Sequence, residues 1–305
     1  MYNLIQQDQN ITLRNLPKGK NMTNFSILNE LSEKLAFRAF SIKYVLEGIE
    51  KYQVNGTNYR LQAGEYLLAN TFNEGTVEVD SKQLVKGICI DIAPDFLSEV
   101  FSSFIKPDAY IPDIQLDTFF NTEAFLENKY HAKYTHLGKT LAEIGHTLSK
   151  NPFHNYELSA EFYFTLAENI VTDHAPIISQ LYNINTIKHH TRKDLYRKVS
   201  LGKAFLENNL YAPIQIKEVA KEIGLSEYHF FRLFKTTFGI TPQQYLIQTR
   251  LKKAWNLLKT GNYAVTEVAT ETGFVDIHSF SKAFKKRFAI SPTKTAESKL
   301  AGFYK

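Results

Sequence analysis

A chain of 305 residues, 44% hydrophobic and 22% charged, has the composition of an ordinary globular protein and room for two or three domains. No apolar run is long enough to span a bilayer, and the opening MYNLIQQDQN lacks the basic and apolar blocks of a signal peptide. A lone cysteine, Cys89, excludes an internal disulfide, so a cytoplasmic protein with no membrane partner is expected.

From residue 36 to 92 the sequence reads as strands. AFRAFSIKYVLEG, KYQV, TNYRL, EYLLAN, TVEV and LVKGICIDI are short, β-branched or aromatic, and separated by turn signals. Asn55-Gly56 is a two-residue hairpin cue, and Gln62-Ala63-Gly64 is a second tight connection. A small antiparallel barrel or sandwich accommodates this pattern. None of the nine histidines precedes His131, so these strands offer no His-ligated metal site, and no cofactor is expected. Ile88, Ile90 and Ile92 around Cys89 suggest a buried strand thiol rather than a redox sensor. Phe37, Phe40, Tyr44, Tyr52, Tyr59, Tyr66 and Phe72, with Arg38, Lys43 and Arg60, are either the lining of a small-molecule pocket or core aromatics with solvated cations.

Residues 95 to 190 turn helical. Apolar side chains recur at three and four spacing around Asp95 to Ile105, His136 to Leu148 and Glu157 to Val171, among them Leu137, Leu141, Ile144 and Leu148. His131, His136 and the pair His189-His190 lack metal-ligand spacing and fit surface or capping roles. The run KHHTRKDLYRK, Lys188 to Lys198, is a basic connector into a helix starting near Thr191 or Asp194, and offers either phosphate contacts or a solvated linker.

The C-terminal third carries one device twice. AKEIGLSEYHFFRLFKTTFGITP, residues 220 to 242, and ATETGFVDIHSFSKAFKKRFAISP, residues 269 to 292, each read as a short helix, a glycine turn and a second amphipathic helix. In the first copy Ile216, Val219, Ala220 and Ile223 share a face, Gly224 ends the helix and Ser226 caps the next. Phe230, Leu233, Phe234 and Phe238 form its buried stripe, which leaves Tyr228, His229, Phe231, Arg232 and Lys235 outside. In the second, Gly273 and Asp276 serve as turn and cap. Phe280, Phe284 and Phe288 make the stripe, and Ile277, His278, Ser279, Lys282, Lys285, Lys286 and Arg287 stay outside. Thr241-Pro242 and Ser291-Pro292 stop the two units. Gln243 to Leu258 between them is a helix of about 24 Å, at roughly 1.5 Å per residue, with Leu246, Ile247, Leu251, Ala254 and Leu258 as its apolar face.

Charge separates this device from a pair of plain helical hairpins. Residues 198 to 305 hold 17 Lys and Arg against 8 Asp and Glu, a net of +9. Residues 1 to 197 hold 19 against 23, a net of −4. A basic excess confined to the repeats is the footprint of a surface that faces phosphates.

The repeat region, residues 199 to 299, resembles the AraC/XylS transcription regulators of bacteria. The likeness rests first on Ala220, Gly224, Leu225, Ser226, Phe230, Arg232, Phe234, Lys235, Phe238, Gly239, Thr241, Pro242, Tyr245, Arg250, Ala254, Leu257 and Leu258. In the second half it rests on Val268, Ala269, Gly273, Phe274, Ser279, Phe280, Ser281, Phe284, Lys285, Phe288, Ser291 and Pro292. Phe231 and Ile277 stand where polar residues are usual, and Thr295-Ala296 replaces the family's Tyr-Arg. The resemblance implies two recognition helices in successive major grooves of double-stranded DNA. Tyr228, Phe231 and Arg232 would face bases from the first, and Ile277, His278, Ser279 and Lys282 from the second. Lys235, Lys285, Lys286 and Arg287 would be phosphate ligands. Less specifically, the strands resemble the cupin-like regulatory barrel of such proteins.

The expected architecture is α+β and multidomain. Residues 1–98 form a cupin-like β-barrel or sandwich, 99–198 a helical linker and dimerisation region, and 199–299 an all-α domain with two helix-turn-helix units. The favoured function is a sequence-specific transcription regulator, not an enzyme. Its partners are double-stranded DNA, a small-molecule effector or a second copy of the chain, and RNA polymerase if it activates. The competing classes are a metal-dependent cupin enzyme fused to a DNA-binding module, a regulator without an effector, and a cysteine-based alkyl-DNA repair regulator. The missing barrel histidines count against the first of these. The apolar setting of Cys89, without a zinc cluster, counts against the last.

Overall fold

The computed structural model describes residues 1–7, 20–37, 39–103, 119–186 and 188–300. Arg38 and residues 104–105, both part of the expectations above, lie outside the described residues. The chain forms two compact units, Met1–Ser179 and Gln180–Lys305. No described helix is long and apolar enough to cross a membrane.

The first unit is built on one mixed sheet. Its strands are β1 (Tyr2–Gln6), β2 (Met22–Ala36), β3 (Phe40–Glu47), β4 (Ile49–Val54), β5 (Thr57–Gln62), β6 (Glu65–Ala69), β7 (Glu74–Ile92) and β8 (Asn128–His131). They run in the order β1-β2-β7-β3-β6-β8, and β4 pairs with both β5 and β7. Within residues 36 to 92 the pairings of β3 with β6 and β7 and of β4 with β5 and β7 are antiparallel, as expected, whereas β1, outside that span, lies parallel to β2. A parallel pair needs a long connection, which the chain between Gln6 and Met22 supplies.

TVEV and LVKGICIDI are one strand rather than two. On one side β7 pairs with β2 from Glu74↔Ala36 to Asp91↔Met22. A register shift between Leu28 and Glu30 absorbs the polar stretch Ser81 to Leu84, which reads as a turn in the sequence. On its other side β7 changes partner, taking β4 over Gly75–Glu78 and β3 over Lys86–Ile92. The hairpin cue holds: Asn55 (φ 47°) and Gly56 (φ 79°) both adopt positive φ between β4 and β5, as a type I′ turn requires.

The aromatics of these strands are mostly core. Phe37, Tyr52 and Tyr59 pack with Val45, Val54, Leu61, Leu67, Ala69 and Val77, while Phe40, Tyr44 and Tyr66 are also buried and Phe72 is half exposed. Arg60 is exposed. Lys43 is not solvated. Its Nζ donates to Cys89 Sγ at 2.6 Å and lies 4.0 Å from Asp91. Burial works against the ammonium, yet Cys89, Asp91 and Glu50 outweigh it and raise its pKa. Burial pushes the Cys89 thiol up to about 11, so it stays protonated at neutral pH.

The helices of the unit include α1 (Pro94–Ser103), α2 (His136–Lys150) and α3 (Ala160–Tyr182), the last belonging to this unit as far as Ser179. Thr135 caps α2 by accepting from Gly138 N at 3.0 Å. Asp173 of α3 accepts from the free N–H groups of His136 and Leu137 at 3.0 and 2.9 Å, a carboxylate at the positive end of a helix. Leu137, Leu141 and Leu148 are buried, as their spacing requires.

His174 on α3 lies 1% exposed beside the rings of Phe120, Phe125 and Tyr130. Its Nδ1 meets the carbonyl of Ile170 at 2.8 Å, so that nitrogen donates. Nε2, 3.1 Å from the Tyr130 hydroxyl, therefore accepts. This arrangement holds a neutral imidazole, and burial depresses its pKa from 6.5 to about 4. Because the unfolded chain takes up the proton first, the stabilisation is complete above pH 6.5 and is lost as pH falls through that window. Denaturant unfolding should show a loss of about 2 kcal/mol from this group between pH 8 and pH 5. His174→Gln should lower stability at pH 8 but flatten the slope below pH 6.5, and an unchanged slope would refute the assignment.

Candidate nucleic-acid interface

The second unit contains α4 (His189–Asn208), α5 (Ile216–Glu222), α6 (Glu227–Phe238), α7 (Pro242–Thr260), α8 (Val265–Glu271), α9 (Ile277–Phe288) and α10 (Pro292–Leu300). The pairs α5–α6 and α8–α9 are the two copies of the repeated device. In the first, Gly224 adopts φ 67°, its N–H reaching Lys221 O at 3.1 Å and Leu225 N–H reaching Ala220 O at 2.9 Å. Ser226 then starts α6 by accepting from His229 N at 3.2 Å. In the second, Gly273 adopts φ 74°, Phe274 N–H reaches Ala269 O at 3.0 Å, and Asp276 accepts from Ser279 N at 2.8 Å. The equivalent bonds equate Leu225 with Phe274, and Ser226 with Asp276. Val275 is therefore one extra residue in the second turn.

Helix α7 sits at the centre of the unit, with α4, α6, α8, α9 and α10 against it. Its start is a capping box in which Thr241 and Gln244 exchange hydrogen bonds of 3.0 and 3.2 Å, with Pro242 in the first turn. Pro242 and Pro292 thus open new helices rather than merely stopping old ones. Leu251, Ala254 and Leu258 of α7 pack with Val268, Ala269, Phe280 and Phe284, and the indole of Trp255 stacks on Phe284 at 5.8 Å. Phe234 of α6 meets Tyr245 at 5.6 Å. Ile247, expected on the apolar face, is instead exposed. Helix α4 comes so close to α6 that a Cβ on Gly202 would stand 2.6 Å from the Phe230 ring.

Arg250 is the polar clamp of the unit. Its Nε donates to Leu210 O at 2.8 Å and Nη2 to Ala212 O at 2.7 Å, which ties α7 to the α4–α5 connection. Arg192 is occupied in the same way. It donates to the carbonyls of Ile184 and Thr186 and lies over the Tyr182 ring, so this member of the basic connector acts structurally. Both roles escape a reading based on periodicity, because their acceptors are backbone carbonyls of loops.

The aromatic stripes leave one polar face on each second helix. Tyr228, Phe231, Arg232 and Lys235 of α6 are exposed, as are His278, Ser279, Lys282, Lys285, Lys286 and Arg287 of α9. Ile277 is partly buried. The Ser279 hydroxyl donates to Asp276 Oδ2 at 2.7 Å, so its proton is committed to the cap. The two bonds from Ser279 hold the Asp276 carboxyl below its usual pKa. Lys285, Lys286 and Arg287 crowd the last turn of α9, where the helix dipole favours cations. The helix α10 forms despite the departure at its centre, with Thr295 buried and its hydroxyl donating to Ser291 O at 3.1 Å.

The helix-turn-helix domain family matches residues 219–298, which span both copies. The C-terminal unit carries an AraC-type helix-turn-helix domain. Over 96 residues the chain is 28% identical to the Msm operon regulatory protein of Streptococcus mutans, covering 32% of this chain and 34% of that protein. Over 89 residues it is 39% identical to the transcriptional activator RhaS of Klebsiella pneumoniae, covering 29% and 32%. The match thus spans about a third of the length of these curated relatives. Among solved structures, the C-terminal domain of the response regulator yesN from Fusobacterium nucleatum is 31% identical, with 32% of this chain and 95% of that one covered at a TM-score of 0.31.

The turns of the AraC-type domain make separable stability predictions. A Cβ on Gly224 meets nothing within 4 Å, so Gly224→Ala should cost only the left-handed backbone strain, about 1 kcal/mol. At Gly273 a Cβ would also stand 2.5 Å from Leu210 O, and Gly273→Ala should cost roughly 2–3 kcal/mol. Ala289 ends α9 at φ 59°, where α6 has Gly239 at φ 77°. Ala289→Gly should therefore stabilise the unit by about 1 kcal/mol in urea unfolding. Destabilisation would contradict the strain.

Proposed function

We propose that this protein is a sequence-specific, DNA-binding transcription regulator of the AraC/XylS type, with α6 and α9 as recognition helices in successive major grooves. The observation that carries the reading is the shared arrangement of the two helices. Each follows a positive-φ glycine, begins at a side-chain cap, buries a phenylalanine stripe against neighbouring helices, and turns its basic side chains to solvent. A rigid α7 between them suits a separation of about one turn of B-DNA, roughly 34 Å.

In this reading residues 199–299 are the DNA-binding part with two helix-turn-helix units. Tyr228, Phe231 and Arg232 face bases from α6, and Arg232 is the side chain able to bond a guanine edge bidentately. On α9, Ile277, His278, Ser279 and Lys282 face the groove, with Ser279 restricted to accepting. Lys235, Lys285, Lys286 and Arg287 bind phosphates. Residues 1–98 serve as a cupin-like regulatory part and 99–198 as the linker and pairing region, with control exerted through a small-molecule effector or dimerisation. RNA polymerase is a further partner if the outcome is activation.

The test is to select preferred duplexes from a random library with the full chain and then compare variants on selected and random DNA. Arg232→Ala should lose about 1–3 kcal/mol on the selected duplex and nothing on random DNA. Equal losses on both would remove Arg232 as a base reader. Lys285→Ala should weaken binding to every sequence and reduce the salt slope by about one charge. Failure of the selection to enrich any sequence would overturn the reading as a whole.

A further inference from the structure

The second turn is one residue longer than the first: Gly224 precedes Phe230 by six residues, and Gly273 precedes Phe280 by seven. The added length changes which side chain closes the turn. Phe274 packs edge-on against Phe280 at 5.1 Å, filling the place where a hydrophobic residue before a cap normally meets the fourth residue of the helix. Val275, the residue that directly precedes the Asp276 cap, is displaced outward and stands 99% exposed. An isopropyl group so placed contributes nothing to the core.

Its neighbourhood defines what it could meet. Val275 and Ile277 flank the cap at the N-terminal end of α9, the end of a recognition helix that meets base edges. Lys282, Lys285, Lys286 and Arg287 on the same helix are exposed, the last three in its final turn, so the outer face of α9 beyond this apolar tip complements a polyanion. The cap itself has its hydrogen bonds within the turn, which leaves the His278 ring as the exposed polar group next to it. Asp276 accepts from Ser279 through both carboxylate oxygens, and the Ser279 hydroxyl donates to it. An apolar, branched tip at the leading end of a helix that carries cations further along matches one feature of the major groove, the thymine C5-methyl.

We propose that Val275, together with Ile277, is a specificity residue that reads thymine methyl groups in the half-site bound by α9. The proposal rests on the DNA-binding reading above and adds a residue and a base identity to it. Readout by the second unit then includes apolar contact beside the polar side chains of α9, and its half-site carries thymine beneath the tip of α9.

The experiment uses the full chain and a duplex selected from a random library. Deoxyuridine replaces thymidine one position at a time, which removes a methyl and keeps every hydrogen-bonding group. At one or two positions of one half-site, affinity should drop about three- to fivefold per methyl, the worth of burying one such group. Val275→Ala should produce a loss of the same size on the thymine duplex and become indifferent to deoxyuridine at one of those positions. Val275→Ala should also keep its unfolding midpoint, since the side chain supports nothing. If the selected duplex binds specifically but no deoxyuridine replacement or Val275→Ala change alters affinity, the proposal fails and the regulator reading stands. If no duplex is enriched, the regulator reading fails first.

Discussion

Neither α6 nor α9 could persist alone. Each has 12 residues, a length at which isolated helices are marginal in water. What holds them is burial of their phenylalanines against other helices of the unit, Phe280 and Phe284 against α7 above all. The same contact decides what stays outside. With Phe230, Phe234, Phe280 and Phe284 drawn inward, the 3.6-residue period turns Arg232 and Lys282 outward. The apolar side chains thereby position the polar ones, and the proposed chemistry of the surface follows from the packing beneath it.

Most of this was legible without coordinates because it is local. A glycine that needs positive φ, a serine or aspartate that caps, and an aromatic repeat at helical spacing each announce themselves within a few residues. The Asn55-Gly56 hairpin belongs to the same class. What was not legible depends on partners distant in the chain. Arg250 is one exposed-looking cation among several until Leu210 and Ala212 are seen beside it. The partner change along β7 cannot be inferred from a polar run at residues 80 to 83, which reads equally as a turn or as a bulged strand. The parallel pairing of β1 is hidden for the same reason. The extra residue at Val275 was present in the spacing itself, and is obscured when the copies are aligned by glycine or by phenylalanine alone.

The two copies are alike in backbone and unlike in chemistry. The first ends on Gly239, and the second tolerates Ala289 in the same left-handed position. The first gathers an arginine and a tyrosine on its outer face, while the second gathers cations in its last turn and apolar groups at its first. The two copies thus share caps and buried stripes and differ at their exposed positions, because packing constrains the first set of residues and leaves the second free.

A single continuous α7 also makes the geometry of the unit discrete. Each residue of an α-helix advances the chain by about 1.5 Å and turns it by about 100°. Adding or removing one residue between Thr241 and Gly261 would hardly alter the distance between α6 and α9, but would swing one outward face a quarter-turn or more from the other. The length of this helix is consequently far less free to drift than the identity of its exposed side chains, and only changes near a whole number of turns would leave the two faces in phase.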